Sequence, residues 1–154
     1  MDASFLIRCV NEVHDVIIKN EKEIESLDRA IGDGDHFINL KRGCIAIQSI
    51  KDELLPLNNS QIFQKIGMKI LSTVGGASGP LFATFFLEIS KTIKDNEDEL
   101  HNFCEGFNQA VNAIKQRGKS DIGQKTMLDV LIPVAETFKT NIGDNVERQK
   151  LLDA

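Results

Sequence analysis

The sequence predicts an all-α protein, and three observations support that class. Apolar residues recur at helical spacing along nearly the whole chain, whereas the apolar–polar alternation typical of strands is almost absent. Short runs containing glycine interrupt the apolar stripes, where helices are expected to end. With 154 residues, 42% of them hydrophobic and 27% charged, residues 1–154 have the composition of one globular domain.

Three helices are predicted in the first half of the chain. The first ends at an aspartate-rich loop near residue 28, and its inward stripe is Leu6, Val10, Val13, Ile17, Ile24 and Leu27. The second stops before Pro56, since a residue before proline disfavours helix, and its stripe is Leu40, Cys44, Ile47, Ile50 and Leu54. The third is capped by Ser60, and its stripe is Ile62, Phe63, Ile66, Ile70 and Val74.

The second half continues the helical pattern, so that six to seven helices are predicted in all. The fourth helix carries Phe82, Phe86, Ile89 and Ile93. The fifth opens with a capping box of Asn96 and Glu99 and carries Leu100, Phe103, Phe107, Val111 and Ile114. The sixth starts at about Lys125, should bend at Pro133, and carries Leu128, Leu131, Ile132, Ala135 and Phe138. Asp144 with Glu147 would open one more helix.

Charge and cysteine content exclude several classes of protein. The 18 basic and 23 acidic residues give a net charge of −5, which argues against nucleic acid as a partner. No apolar run approaches the roughly 18 residues of a membrane span. The three cysteines are far apart and lack metal-site spacing, so we expect core thiols and a cytoplasmic location.

Residues 27–43, LDRAIGDGDHFINLKRG, concentrate acidic residues and glycines. Gly32 and Gly34 allow a sharp turn, so that Asp33 and Asp35 can converge with Asp28. Two carboxylates about 4 Å apart repel by about 4 kcal/mol at an effective dielectric near 20. A divalent cation bound between them would make the electrostatic energy of the cluster favourable. Magnesium would need phosphate or water to complete its octahedron. A solvated turn with helix-capping aspartates carries about equal weight at this point.

Two further runs place glycine in front of a predicted helix. STVGGASGP, residues 72–80, exposes backbone N–H groups that suit phosphate oxygens or a flat base. It is not a Walker loop, because no GK[ST] follows. From the residues alone, a close turn between two helices is the slightly stronger interpretation. RGKSDIGQKTMLD, residues 117–129, has the same pattern, and by itself it indicates mostly core residues and a helix cap.

Together these three runs resemble one family, the ADP-binding L subunit of dihydroxyacetone kinase, which also occurs as the nucleotide domain of single-chain, ATP-dependent enzymes. GDGDH, GGASGP and KTMLD stand here in the family's order and at about its spacing. His36 after Asp35 separates the chain from a relative that phosphorylates fatty acids, whose loop is of the DGDTG type. The resemblance implies an antiparallel barrel of helices with the nucleotide at one end.

The resemblance also implies the site residues. Asp28, Asp33 and Asp35 match the aspartates that hold two magnesium ions against the phosphates of ADP or ATP. The nucleotide contacts match six residues: His36 and Asn39 on the phosphate side, Ala77 and Ser78 in the glycine-rich loop, and Gly118 and Met127 along the base and ribose. No covalent nucleophile is implied, and His36 is interpreted as a phosphate ligand.

Partners follow from the same resemblance. In the family, bound ADP takes phosphate from a phosphohistidine on the M subunit of a phosphotransferase system and passes it to dihydroxyacetone on the K subunit. A homodimer is compatible with this scheme, whereas nucleic acid and membrane are not implied. The donor could instead be ATP, although a chain without a fused K domain favours the phosphotransferase protein. Two other classes stay open, a regulatory magnesium–nucleotide module and a helical scaffold without ligand.

Two departures from the family pattern lead to expectations. Phe37 stands where the family has glycine, and we expect it to crowd the loop beside the phosphates. The family continues with a closing lid, containing GRASYLGERS-like and DPGA-like stretches and an arginine, and with a last helix. These are missing from this sequence, so we expect either a fragment or a shortened member of the family, which binds magnesium-ADP but exchanges it quickly.

Overall fold

The computed structural model describes residues 3–94 and 99–141. Within these residues it contains eight α-helices and no strands, which confirms the all-α prediction. The helices are α1 Ala3–Lys19, α2 Glu21–Ile31, α3 His36–Gln48, α4 Lys51–Leu54, α5 Asn59–Thr73, α6 Ser78–Thr92, α7 Glu99–Gly118 and α8 Leu128–Asn141. Pro133 lies inside α8, and the predicted caps at Asn96 and Asp144 fall outside the described residues.

Two predicted helices are each interrupted, which accounts for eight helices where six to seven were expected. The first breaks at Asn20, whose side-chain amide donates to the carbonyl of Val16 at 2.8 Å. The predicted stripe is wrong for Val13 in α1 and Leu27 in α2, which are 52% and 65% exposed. The second predicted helix breaks between α3 and α4, while its buried stripe continues across the break.

The cap of α5 is Asn58 and not the predicted Ser60. Asn58 Oδ1 accepts a hydrogen bond from the Gln61 amide at 2.9 Å, and Gln61 Oε1 accepts one from the Asn58 amide at 3.2 Å. Ser60 lies in the first turn instead, where its hydroxyl donates to the carbonyl of Ser90 at 2.7 Å. Ser60 therefore ties α5 to α6, and the capping box starts two residues earlier.

The helices pack largely in chain order. α1 and α2 lie against α3, α3 against α5, α5 against α6, α6 against α7, and α7 against α8. The predicted stripe of α5 is confirmed, because all five of its residues are buried: Ile62, Phe63, Ile66, Ile70 and Val74. Phenylalanine rings from α6, α7 and α8 meet edge to face. The ring centroid of Phe107 lies 5.2 Å from that of Phe85 and 5.1 Å from that of Phe138. An apolar cavity of about 300 Å³ lies between α1, α3, α5 and α6.

Phe37 belongs to this core and does not crowd the acidic loop, which corrects the expectation from its position in the sequence. Its side chain is 3% exposed and packs in a cluster with Ile17 and Cys44. Because Phe37 is the second residue of α3, the helix turns it away from the loop that precedes the helix. The aromatic ring therefore anchors the start of α3 to α1.

No two cysteines form a disulfide in the described part of the chain, and two of the three are core residues. Cys44 and Cys104 are buried, and burial raises the pKa of the Cys44 thiol. Cys9 is exposed on α1, so the prediction of three core thiols is wrong for that residue. No helix in the described part of the chain combines the length and apolar character needed to cross a lipid bilayer.

Candidate metal and phosphate site

The three aspartates of the acidic loop converge. Asp28 lies in the last turn of α2, Asp33 in the loop, and Asp35 immediately before α3. One carboxylate oxygen from each lies within 4.8 Å of the other two. Among residues 3–94 and 99–141, no lysine or arginine forms an ion pair with any of the three. The three carboxylates face one another without such an ion pair, an arrangement that suits a divalent cation.

Backbone contacts and glycines shape this loop. The amide of His36 donates a hydrogen bond to Asp28 Oδ2 at 2.9 Å, which joins the end of α2 to the start of α3. A side chain at Gly32 would overlap the carboxylate of Asp28. Gly34 has a φ of +80°, a conformation that L-residues with side chains rarely adopt. The sharp turn predicted from the two glycines is therefore present.

The alternative of aspartates that only cap helices does not account for this cluster. Asp35 occupies the N-cap position of α3, yet its side chain makes no capping hydrogen bond. Asp33 is exposed, and its Oδ1 accepts only a long bond of 3.4 Å from the Asp35 amide. Capping explains the Asp28 carboxylate alone. The carboxylates of Asp33 and Asp35 have no capping role and are open to solvent or to a ligand.

The glycine loop between α5 and α6 lies against the acidic loop. A Cβ atom at Gly76 would be 3.2 Å from Asn39 Nδ2 and 3.6 Å from both carboxylate oxygens of Asp35. Gly76 also has a φ of +69°. At Gly79 a Cβ would overlap the carbonyl of Val74. The loop therefore needs glycine at Gly76, where it approaches Asn39 and Asp35 of the α3 region, and at Gly79, where it approaches the end of α5. A simple turn between two helices does not account for the proximity of Gly76 to Asp35.

Asn39 is a buried polar side chain beside the acidic cluster. It is 2% exposed, and its Oδ1 accepts a hydrogen bond from Arg42 Nη1 at 3.0 Å. Its Nδ2 is buried and has no hydrogen-bond partner. An unpaired buried amide costs free energy, and such a group near a candidate site indicates a missing acceptor. A phosphate oxygen between Asn39 and the glycine loop would supply it.

The remaining predicted site residues lie along the start of α6. Ala77 is the N-cap of α6 and is exposed, and Ser78 is its half-buried first residue. Gly118 ends α7, where a Cβ would be 3.8 Å from Leu81 Cδ2 in the first turn of α6. Met127 is half-buried and packs, like Leu81, on the core cluster of α7 and α8. The three motif runs thus meet around the start of α6.

Asp129 is a structural residue of the third run that the sequence analysis missed. Its carboxylate accepts hydrogen bonds from the backbone amides of Gly123 and Thr126, the latter at 3.0 Å. These bonds, led by that of Gly123, hold the pKa of Asp129 below its ordinary value. Thr126 Oγ1 in turn accepts from the Leu128 amide at 3.2 Å. The Thr-x-x-Asp spacing is a capping-box signature, so the sequence contained the signal.

Comparisons with known proteins point to one family. The DAK2 domain family matches residues 30–154. The ADP-binding subunit DhaL of PEP-dependent dihydroxyacetone kinase 1 from Listeria innocua is 37% identical over 137 residues, which are 89% of this chain and 69% of that protein. The ADP-binding subunit DhaL from Escherichia coli K12 is 32% identical over 152 residues, 98% of this chain and 70% of that protein.

Solved structures give the same result for the fold. The native dihydroxyacetone kinase of C. freundii superposes with a TM-score of 0.77 and 27% identity over 98% of this chain. Its complex with AMP-PNP and Mg²⁺ superposes with a TM-score of 0.72 and 26% identity over 92% of this chain. The chain spans 27% and 26% of the length of these larger chains. Because the family match covers most of its residues, this chain belongs to the DAK2 domain family.

Proposed function

We propose that this chain is the ADP-binding subunit of a cytoplasmic dihydroxyacetone kinase whose phosphoryl group comes from a phosphotransferase system. One observation carries the proposal: three converging carboxylates face a glycine loop and a buried amide that lacks an acceptor. The similarity to ADP-binding subunits along 69% and 70% of their lengths supports the choice of nucleotide and reaction. Residues 1–154 would form one nucleotide-binding helical domain.

The acidic loop would hold the metal. Asp28, Asp33 and Asp35 offer hard oxygen ligands within 4.8 Å of one another, and we propose that they hold two magnesium ions. Magnesium, when bound, offsets the negative charge of phosphate groups during transfer. Asp28 would use Oδ1 for this purpose, because its Oδ2 already accepts the His36 amide. His36 itself would lie beside the phosphates as a polar ligand.

The glycine loop and α3 would bind the phosphate oxygens. Asn39 Nδ2 is the buried donor, and backbone amides near Ala77 and Ser78 lie at the start of α6. The N-terminus of a helix attracts anions because its first N–H groups have no partner within the helix. Both kinds of donor are neutral. They would add binding energy without the charge that already comes from the metal.

The third run would line the base and ribose. Gly118 is exposed and presents no side chain, which leaves room for a flat ring. Met127 is half-buried and offers an adaptable apolar surface nearby. The task of this chain would be to bind and orient the nucleotide. A K subunit would present dihydroxyacetone, and an M subunit would present the phosphohistidine.

Two measurements test the proposal. Calorimetric titration with ADP should show binding in magnesium and none in excess chelator. Equal affinity in both would show that nucleotide binding does not need the metal.

Phosphorylation of dihydroxyacetone should then require this chain, K and M subunits of a phosphotransferase-dependent relative, and phosphoenolpyruvate. Turnover with ATP in place of the M subunit would identify ATP as the phosphoryl donor, as in the single-chain enzymes. Binding without turnover under both conditions would favour a regulatory module.

A further inference from the structure

We propose that Arg42 is a positioning residue that turns the amide of Asn39, so that its N–H groups and not its oxygen face the gap between Asp35 and Gly76. For the identity of the ligand, a phosphate oxygen, the inference rests on the function proposed above. The orientation of the amide itself follows from the structure of this chain without any ligand.

The geometry fixes which end of the amide faces the site. A guanidinium group has only donors, so the 3.0 Å contact of Arg42 Nη1 must be made to the carbonyl oxygen of Asn39. Nδ2 then points the other way, to within 3.2 Å of the position of a Cβ on Gly76. That same position is 3.6 Å from both carboxylate oxygens of Asp35. The donors of Asn39 therefore open beside the acidic cluster.

This orientation decides what kind of ligand the gap accepts. An asparagine oxygen turned toward the three aspartates would extend their set of cation ligands. Its N–H groups cannot coordinate a cation and instead require an acceptor. Because Asn39 is 2% exposed, neither orientation can be satisfied by bulk water. Arg42 thus turns the N–H groups of Asn39 toward an anion, beside the aspartates that would hold the cation. A ligand made of a metal ion and a phosphate requires both kinds of group.

Arg42 suits this role because it is exposed while Asn39 is buried. Its substitution therefore removes a hydrogen bond and a charge without leaving a cavity in the core. Lys41, the preceding residue of α3, offers a matched control, because Lys41→Met removes a positive charge close by without touching Asn39.

The first experiment observes the amide directly in the protein without nucleotide. The side-chain N–H signals of Asn39 are identified in ¹H–¹⁵N spectra by their loss in Asn39→Leu. In Arg42→Met we expect these signals to shift and broaden as the amide loses its fixed orientation, whereas Lys41→Met leaves them unchanged. Arg42→Lys, which keeps a donor-only side chain, should restore part of the original signal. Unchanged signals in Arg42→Met would overturn the proposal.

The second experiment is a double-mutant cycle on the affinity for magnesium-ADP. Arg42→Met should weaken binding about 3- to 10-fold, the range for loss of one hydrogen bond. If Arg42 acts through Asn39, then Arg42→Met combined with Asn39→Leu binds no more weakly than Asn39→Leu alone. Additive weakening would show that Arg42 acts by its own charge and would overturn the positioning role. Should Asn39→Leu fail to fold in a thermal melt, Asn39→Ala replaces it in both experiments.

The two proposals fail in different ways. If the wild-type chain binds no magnesium-ADP, the proposed function fails, while the spectra of Asn39 still test the orientation of the amide. Binding of Mn²⁺ to the aspartates, measured by electron paramagnetic resonance without nucleotide, should be the same in wild type and Arg42→Met. A loss of Mn²⁺ binding in that variant would mean that Arg42 supports the acidic loop, and would overturn the inference.

Discussion

The backbone amide of His36, at the start of α3, donates a 2.9 Å hydrogen bond to Oδ2 of Asp28, in the last turn of α2. This bond joins residues eight positions apart in the sequence, so it closes the acidic loop and occupies one oxygen of Asp28. Asp28 therefore supports the fold as well as the candidate metal site, whereas Asp33 and Asp35 are available mainly to a ligand. Substitutions of the three aspartates should separate these two roles.

Asp33→Asn and Asp35→Asn should leave the chain as stable as wild type, or more stable, when no metal is present, because each removes repulsion among clustered carboxylates. The stabilisation that magnesium gives to wild type should be lost in both variants. Thermal melts in magnesium and in chelator measure this. Asp52→Asn, at an exposed aspartate of α4 outside the cluster, is the control and should keep the magnesium effect. An equal loss of stability in both conditions would identify Asp33 and Asp35 as caps.

Asp28 should respond differently to two substitutions. Asp28→Asn keeps an oxygen that accepts the His36 amide, so its stability in chelator should stay close to wild type. Asp28→Ala removes the acceptor and should cost about 1 kcal/mol of unfolding free energy. Both variants should lose magnesium-dependent ADP binding. Urea denaturation in chelator compares them, and equal destabilisation would show that charge, and not the hydrogen bond, holds the loop.

The convergence of the aspartates could be predicted from the sequence because its causes are local. Gly32 and Gly34 fix the turn within the same short run that supplies the carboxylates. The break at Asn20 could not be predicted in this way. An asparagine within an apolar stripe is compatible with a continuous helix, whereas the bond from its side chain to the Val16 carbonyl and the packing of α1 and α2 against α3 are visible only in the structure.

Gly76→Ala should lower the affinity for magnesium-ADP, whereas Gly123→Ala should not. Both glycines have positive φ, +69° and +83°, so alanine strains the backbone at each by about 1 kcal/mol. At Gly76 the new methyl group would also press on Asn39 Nδ2, 3.2 Å away, while at Gly123 nothing lies within 4 Å. The affinity of both variants for magnesium-ADP, measured by calorimetry, separates the effect of backbone strain from that of the contact with Asn39. Equal affinities would mean that the glycine loop is only a turn.

Asp129→Asn should destabilise the chain at neutral pH and progressively less in acid. Hydrogen bonds from the Gly123 and Thr126 amides lower the pKa of Asp129 in the folded state, so the charged form favours folding. That contribution is complete above the unfolded pKa of about 3.9 and is lost as pH falls through the folded pKa. Melting temperatures of both proteins between about pH 7 and pH 3 test the sign. A difference that grows in acid would contradict it.

The pairing of Arg42 with Asn39 illustrates what sequence could not provide. Asparagine and arginine three residues apart on a helix are neighbours, but most such pairs lie in solvent. What makes this pair informative is the burial of Asn39, and that burial depends on Gly75 and Gly76 approaching from the distant α5–α6 loop. The family resemblance pointed to Asn39 as a phosphate contact, whereas Arg42 becomes visible only in three dimensions.

Phe37 provides a last test, because its position in the sequence and its position in the structure lead to opposite expectations. If the ring crowded the phosphate side of the loop, Phe37→Ala would strengthen nucleotide binding at little cost. The structure instead buries the ring among Ile17 and Cys44, so we expect a loss of about 3 to 5 kcal/mol of unfolding free energy. Affinity for magnesium-ADP, measured well below the melting temperature, should change less than about 2-fold, since the lost contacts belong to the core.

Ile38→Ala is the control, because Ile38 is the next residue and is 47% exposed. It should cost well under 1 kcal/mol of unfolding free energy, roughly the range of surface substitutions. Tighter binding by Phe37→Ala with unchanged stability would place the ring at the site after all.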